Sequence, residues 1–307
     1  MTILIIGSPE EAHSAFIHHK IRQRGHEAIY LDTRAFPSQT RLSMFCGPQQ
    51  PHLGTLHLPT EPLAVPLEQV EAVYWRYHMG FQRPAGIEGP FLLEMAQREI
   101  ESALGSLFRM LPCRWVNSPE AIAQHAYKPY QLQLMHQAGI RIPQTLISND
   151  PNAVTEFYER LNGQVIYKPV RGGAHTVRLK PEDLKAERLS ELATAPVQFQ
   201  EYVDGVDVRV YMVKDEVFAG EIHSRTLDFR EDPDALIVPI QLPSAIEQDC
   251  RTIMRILGLM YTGIDARRTP QGEYVFLEGN PCPMFMHFEQ QAGYPISDRL
   301  VDLLLNG

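Results

Sequence analysis

Two apolar runs separated by a four-residue turn constrain this chain more than any other stretch. Tyr261, Gly263 and Ile264 lead into Asp265, Thr269-Pro270-Gln271-Gly272 has the composition of a turn, and Tyr274-Val-Phe-Leu277 then delivers Glu278 and Asn280. Paired as an antiparallel hairpin, the two strands place three oxygen side chains at one end. The two-residue period of a strand points Glu278 and Asn280 to the same face. Such a set suits a hard cation such as magnesium, which takes a few protein oxygens and completes its shell with phosphate or water. The spacing alone equally describes a surface hairpin with polar ends.

Upstream, Ile3–Ile6, a polar-apolar stretch to Arg24 and Ala28–Leu31 read as strand, helix, strand, the unit of an open parallel sheet. No G-x-G-x-x-G follows the first strand, so this half is expected to be a scaffold rather than a dinucleotide site. The stretch from Phe36 to Pro66 holds short edge-strand candidates, and Val70–Trp75 is a further strand ending at Arg76. Leu92, Met95, Ala96, Ile100, Ala103, Leu104 and Leu107 recur at helical spacing and predict an inward stripe. The first domain is expected to span 1–117. Ser118-Pro119 opens a helix, Tyr130–Ala138 a second one stopped by Gly139, with Lys128 between them, and Asp150-Pro151 caps a third. Val165–Lys168 is a strand running into a glycine loop, closing a central subdomain over 118–196. Strands over 197–203, 206–213 and 217–222 and a helix whose capping box is Ser244/Glu247 then lead back to the hairpin, in a last subdomain over 197–307.

The chain has 307 residues, 44% of them hydrophobic and 21% charged, ample for several packed subdomains. A formal net charge of −9 argues against a nucleic-acid surface. Cys46, Cys113, Cys250 and Cys282 show neither zinc nor disulfide spacing. With no signal-peptide pattern and no apolar run of membrane length, the sequence predicts a cytoplasmic protein without a membrane partner.

Beyond the hairpin, Lys168-Pro-Val-Arg171-Gly172-Gly173-Ala174-His175 joins a strand end, paired glycines and cations, a combination that closes over phosphates. It lacks the Walker pattern, and a plain hairpin has the same composition. Gln200-Glu201-Tyr202-Val203 before Asp204-Gly205 has the form of a hinge offering backbone groups to an adenine edge, and a plain strand-turn has the same form. Asp207 and Arg209, like Asp228 and Arg230, lie two apart and would ion-pair along a strand face. Of the twelve histidines, His175 and His223 fall near these motifs, while the others, including the pair His18-His19, show no ligand spacing and are expected at the surface. Cys282, between two prolines, is expected to be a small packing residue.

The order of these pieces resembles the ATP-grasp superfamily of carboxylate ligases, and the resemblance covers nearly the whole chain. Val116-Asn-Ser-Pro119, Lys128 with Gln131-Leu132, Gly139-Ile-Arg-Ile-Pro143 and Ile166-Tyr-Lys168-Pro169 are similar to the branch holding ribosomal-protein glutamate ligases and graspetide (microviridin-type) maturases. Leu31-Asp-Thr33, Phe36-Pro37, Ala72–Arg76 and Asp228-Phe-Arg230 resemble segments of those maturases. The resemblance implies an α/β (α+β) ATP-grasp fold: an open parallel N-terminal domain, a small central domain and a C-terminal mixed-sheet domain, with ATP between the last two.

It further implies that Lys128 and Lys168 touch ATP phosphates beneath a loop of Arg171, Gly172, Gly173 and Ala174. Glu201, Tyr202 and Val203 would hold adenine and Asp207 the ribose. Asp265, Glu278 and Asn280 would bind magnesium, as two ions bridged by Glu278, with manganese as a substitute. Arg230, Lys168 and Arg267 would be the catalytic cations, Arg230 beside an acyl-phosphate. The chain departs from the maturase pattern after Asn280, where Pro281-Cys282-Pro283-Met284-Phe285 stands. The implied activity is ATP-dependent joining of a carboxylate to an amine or hydroxyl, on a ribosomal peptide or on a small amino acid or dipeptide. A non-catalytic ATP-binding regulator and a homodimer are further alternatives.

Overall fold

The computed structural model describes residues 1–48, 52–77, 80, 82 and 86–307, and it divides into two compact units. The first comprises residues 1–119 with 284–286 and 295–307. It begins with β1 (Thr2–Ile6), α1 (Ala12–Gln23) and β2 (Glu27–Leu31), followed by β3 (Arg41–Met44), β4 (Gly54–His57), β5 (Val65–Pro66), β6 (Val70–Trp75), α2 (Pro90–Met110) and β7 (Arg114–Val116). Strands β2-β1-β6-β7 form a parallel sheet, as the strand-helix-strand pattern predicts, and β3-β4-β5 form a small antiparallel one. Gln49, Gln50 and Pro51 of the predicted edge-strand stretch lie outside the described residues. Every residue of β1 is buried, which explains why this strand is a continuous apolar run rather than an alternating one.

The stripe on α2 is only half an inward face. Ile100, Leu104, Leu107 and Phe108 are buried, but Leu92 and Met95 are exposed. Only the C-terminal half of this helix has the sheet aromatics to pack on, Phe108 meeting Trp75 edge-on at 4.9 Å between ring centroids. The histidines are not uniformly at the surface either. His13 is buried, accepts a hydrogen bond at Nδ1 from the Phe285 N–H (3.5 Å) and lies edge-on to that ring, while His18 stacks on Tyr30.

The second unit spans 120–283 and 287–294. Its first part contains α3 (Pro119–His125), α4 (Lys128–Gln137), β8 (Thr145–Ser148), α5 (Pro151–Arg160), β9 (Val165–Pro169), β10 (Val177–Arg178), α6 (Ala186–Leu189) and β11 (Val197–Glu201). Lys128 stands in the first turn of α4, not between helices, because Pro129 is accepted there without loss of an internal hydrogen bond. The cap at Asp150 forms as predicted, its carboxylate accepting from the Asn152 N–H at 2.9 Å. The antiparallel sheet β10-β9-β11-β8 encloses a core of Val154, Phe157, Val165, Leu179, Leu192 and Phe199.

The second part contains β12 (Val206–Val213), β13 (Glu216–His223), β14 (Leu236–Ile240), α7 (Ser244–Ile256), β15 (Tyr261–Arg268), β16 (Tyr274–Asn280) and α8 (Met286–Ala292), and α9 (Ile296–Asn306) closes the chain within the first unit. The sheet β14-β13-β12-β15-β16 is antiparallel throughout. The predicted capping box is absent. Pro243 is the N-cap of α7 without a side-chain bond, which puts Ser244 inside the helix. Met135 of α4, Cys250, Ile253 and Met254 of α7, and Val208, Val210, Ile264 and Phe276 of the sheet form one core. Each fully buried aliphatic side chain there contributes roughly 2 kcal/mol. At the far edge of this sheet, the Ile237 N–H of β14 donates to Gln291 Oε1 (3.1 Å) instead of to a strand. Pro239 lies two residues further on, opposite Gly220.

Candidate functional site

With one face of the five-stranded sheet given to the core, the alternate residues of β12 and β15 crowd the other with charge. Asp207 stands opposite Arg267 and Arg209 opposite Asp265. The ion pairs therefore run across strands, not along one strand: Arg267 Nη1 meets Asp207 Oδ1 at 2.8 Å, and Arg209 Nε meets Asp265 Oδ1 at 2.6 Å. Arg267 also donates to the Gly205 carbonyl. Burial raises the Asp207 carboxyl above its ordinary range despite the pull of Arg267. Asp265 is raised likewise, burial prevailing over Arg209, with Glu278 adding to the effect.

Glu278 joins this face through an irregularity. Ala266 pairs with Phe276, yet the next residue of β15, Asp265, pairs with Glu278, which leaves Leu277 as the extra residue of a β-bulge. In an unbroken strand Glu278 would share the core face of Phe276, whereas the bulge turns it opposite Asp265. Gly279 then faces the core, where a Cβ would stand 2.8 Å from Leu257 Cδ1. Asn280 returns to the polar face, and its Oδ1 accepts the Cys282 N–H at 2.9 Å.

From α4, Lys128 forms an ion pair with Glu278. Burial alone would raise the Glu278 carboxyl, but Lys128 and Lys168 outweigh it and hold it below its usual range. Lys168, near the end of β9, has its ammonium destabilised by burial, and the charges that act on it are those of Glu278, Lys128, Asp265 and Arg230. These five groups form one electrostatic cluster. His125, at the end of α3, adjoins Glu278, Lys128 and Gly279 and is held below its ordinary pKa first by burial.

The glycine loop leaves β9 after Pro169. Arg171, Gly172, Gly173 and Ala174 are exposed, and both glycines adopt positive φ (96° and 99°) that a side chain would resist. Asp228 anchors the end of this loop. Its carboxylate accepts from the Thr176 N–H (3.3 Å), contacts His175 Nδ1 (3.4 Å) and pairs with Arg230. Asp228 and Arg230 belong to a tight helical turn at Phe229–Glu231, not to a strand, since Asp228 caps that turn by accepting the Arg230 N–H. Their contacts carry Asp228 down to about 2, against the opposing effect of burial.

The predicted hinge starts inside β11, whose last two residues are Gln200 and Glu201. Glu201 Oε2 accepts the Gln144 N–H at 3.1 Å, and the Tyr202 ring lies under the Arg178 guanidinium at 3.4 Å. Glu201, Tyr202, Val203 and Asp204 line a cavity of about 250 Å³ together with Ile142 and Val275, the latter opposite Arg267.

Sequence reasoning missed Arg209 as a site residue, Gln131 as more than a motif letter, and His125. Only the strand register and the placement of α3 and α4 reveal them. Among the described residues no three His, Cys, Asp or Glu side chains gather as a metal group. A cation on this face would thus take two facing carboxylates and one amide oxygen from the protein. That all-oxygen set, flanked by two lysines able to neutralise phosphates, fits magnesium.

A family model described as RimK-like ATP-grasp domain matches residues 126–304, and one described as MvdD pre-ATP grasp domain matches residues 2–123. Among solved structures, the chain is similar to macrocyclase MdnC bound with precursor peptide MdnA from Microcystis aeruginosa. The TM-score is 0.87 and the identity 27%, with 100% of each chain covered. It is also similar to the ATP-grasp ligase PsnB complexed with minimal precursor, Mg and ADP, with a TM-score of 0.82 and 34% identity over 99% of this chain and 96% of that one. A further relative is the alpha-aminoadipate–LysW ligase LysX of Sulfurisphaera tokodaii, 24% identical over 208 residues, 64% of this chain and 73% of that protein.

Proposed function

Because the chain belongs to the RimK-like ATP-grasp family, we propose that it closes rings in a ribosomally made precursor peptide, joining a side-chain carboxylate to an amine or hydroxyl of the same peptide. The chain is an ATP-dependent ligase that works with ATP and magnesium. The peptide substrate is supported by likeness over the whole length to two ligases solved with their precursors. The observation that carries the site is the convergence of Lys128, Lys168, Arg230, Asp265 and Glu278.

In this reading the backbone of Glu201, Tyr202 and Val203 holds the adenine edge, and Asp207 takes a ribose hydroxyl. Lys128, Lys168 and the amides of Arg171–Ala174 hold the phosphates. Asp265, Glu278 and Asn280 hold magnesium, which when bound neutralises charge on the β- and γ-phosphates. An oxygen of the substrate carboxylate attacks the γ-phosphorus, the bond to the bridging oxygen breaks, and ADP leaves. The resulting acyl-phosphate lies beside Arg230. The amine or hydroxyl then attacks the carbonyl carbon, inorganic phosphate departs with the bonding pair, and the nucleophile gives up its proton. No protein nucleophile is needed, so the side chains act by positioning and by neutralising charge. Arg267 serves by holding Asp207.

Mass spectrometry of a precursor peptide incubated with the enzyme, ATP and magnesium tests the proposal, with the loss of one water per ring expected. A gain of one amino-acid residue would favour the second reading, amino-acid addition, which the match to LysX and to glutamate ligases supports. Glu278→Ala is expected to cut substrate-stimulated ADP release about 100-fold or more with the fold retained. Wild-type release from that variant would remove Glu278 from the metal site. A homodimer belongs to the same reading, and light scattering of the purified protein tests it.

A further inference from the structure

The bulge that turns Glu278 outward also weakens the strand that carries it. Glu278 and Asn280 flank Gly279, which has no side chain to hold its peptide in place, and the ladder to β15 is irregular one step earlier. Among the described residues β16 is moreover the edge strand of its sheet, with no strand on its outer side. One side chain fills that position. Gln131, three residues after Lys128 on α4 and 2% exposed, donates from Nε2 to the Gly279 carbonyl at 2.9 Å and accepts the Gly279 N–H at Oε1, also at 2.9 Å. A primary amide thereby presents its donor and its acceptor to one residue, as a neighbouring strand would.

We infer that Gln131 is a positioning residue of the metal site, fixing the backbone at Gly279 so that the side chains before and after it converge on one cation. The inference rests on the reading of Glu278 and Asn280 as metal ligands. Two bonds from a rigid amide hold both the N–H and the carbonyl of Gly279, so rotation of the strand about its own axis would break one of them. That rotation is the motion that would carry Glu278 and Asn280 together off the face they share with Asp265. Lys128, from the same helix, pairs with Glu278 itself, so α4 holds both the charge and the backbone of this strand.

The test is manganese binding in the presence of ADP, followed by electron paramagnetic resonance, for the wild type, Gln131→Met and Glu278→Gln. Gln131→Met keeps the volume and loses both bonds. It is expected to weaken manganese binding per folded molecule roughly 10- to 100-fold, in the range of supporting residues around metal ligands. The magnesium needed for half-maximal ADP release rises with it, while the rate recovers at saturating magnesium. If Gln131→Met binds manganese as the wild type does while Glu278→Gln does not, the inference falls and the metal site stands. If Glu278→Gln also binds normally, the reading of the metal site falls first. Should Gln131→Met fail to fold, Gln131→Glu takes its place with the same outcomes, since it keeps an acceptor for the Gly279 N–H and loses the donor to its carbonyl.

Discussion

His13 carries a consequence of burial that appears only on titration. Burial first, and Arg76 second, lower its pKa from 6.5 to about 4, with Glu11 opposing. The unfolded chain therefore binds a proton at higher pH than the folded one. Stability from this residue is complete above pH 6.5 and is lost as pH falls from there towards 4, at most about 3 kcal/mol. Melting temperature measured across that window is expected to fall with acidity in the wild type and to fall less steeply in His13→Phe. Residues of this kind were illegible in the sequence, because an isolated histidine has no pattern that reveals its neighbours. Lys128, Lys168, Asp265 and Glu278 could be nominated from the sequence for the opposite reason, since their order along the chain was informative before any contact was known. Arg209 was visible only as one of two charges on a strand, because its partner is set by a register that no local rule supplies.

At the scale of elements, the hairpin formed where apolar alternation and turn composition placed it, with the Gly272 N–H donating to Thr269 O at 2.9 Å. What the alternation hid was the bulge. Counting in twos from Phe276 assigns Glu278 to the core, and the extra residue is recognisable only from the pairing. The helix start at Pro243 was hidden likewise, because Ser244 and Glu247 have the right spacing for a box that Pro243 pre-empts. Between β11 and β12 the constraint is tighter still. Gly205 has φ +142°, and a Cβ there would lie 2.1 Å from the Arg268 carbonyl oxygen. Gly205→Ala is expected to cost about 2 kcal/mol or more, combining backbone strain with that collision. A melting temperature lowered by several degrees checks it, and an unchanged one would show that the hinge backbone yields.

Over the whole molecule, sequence order and spatial grouping diverge at the end of the chain. α9 packs within the first unit, with Ile296, Leu300, Val301 and Leu304 fully buried and Lys20 and Arg24 of α1 paired with Asp298 and Asp302. The surface pairs contribute little, and the leucines carry the attachment. Leu300→Ala is expected to cost roughly 3 kcal/mol, read as a lower denaturation midpoint, whereas Asp302→Ala changes it by under about 1 kcal/mol. Such a return was beyond sequence reasoning, because an amphipathic helix states which of its faces is buried without naming what buries it.

The edge of the large sheet at β14 is closed to an added strand. There the outward N–H of Ile237 is taken by Gln291, and Pro239, the next residue to face outward, has none. A chain laid against that edge would meet carbonyl oxygens and no free donor at either position, so the ladder that fastens strand to strand has no footing. The extended peptide proposed as substrate would therefore find no place to add as a strand at this edge. At this edge, recognition of such a peptide would fall to side chains, which distinguish one peptide from another, rather than to backbone, which every peptide shares.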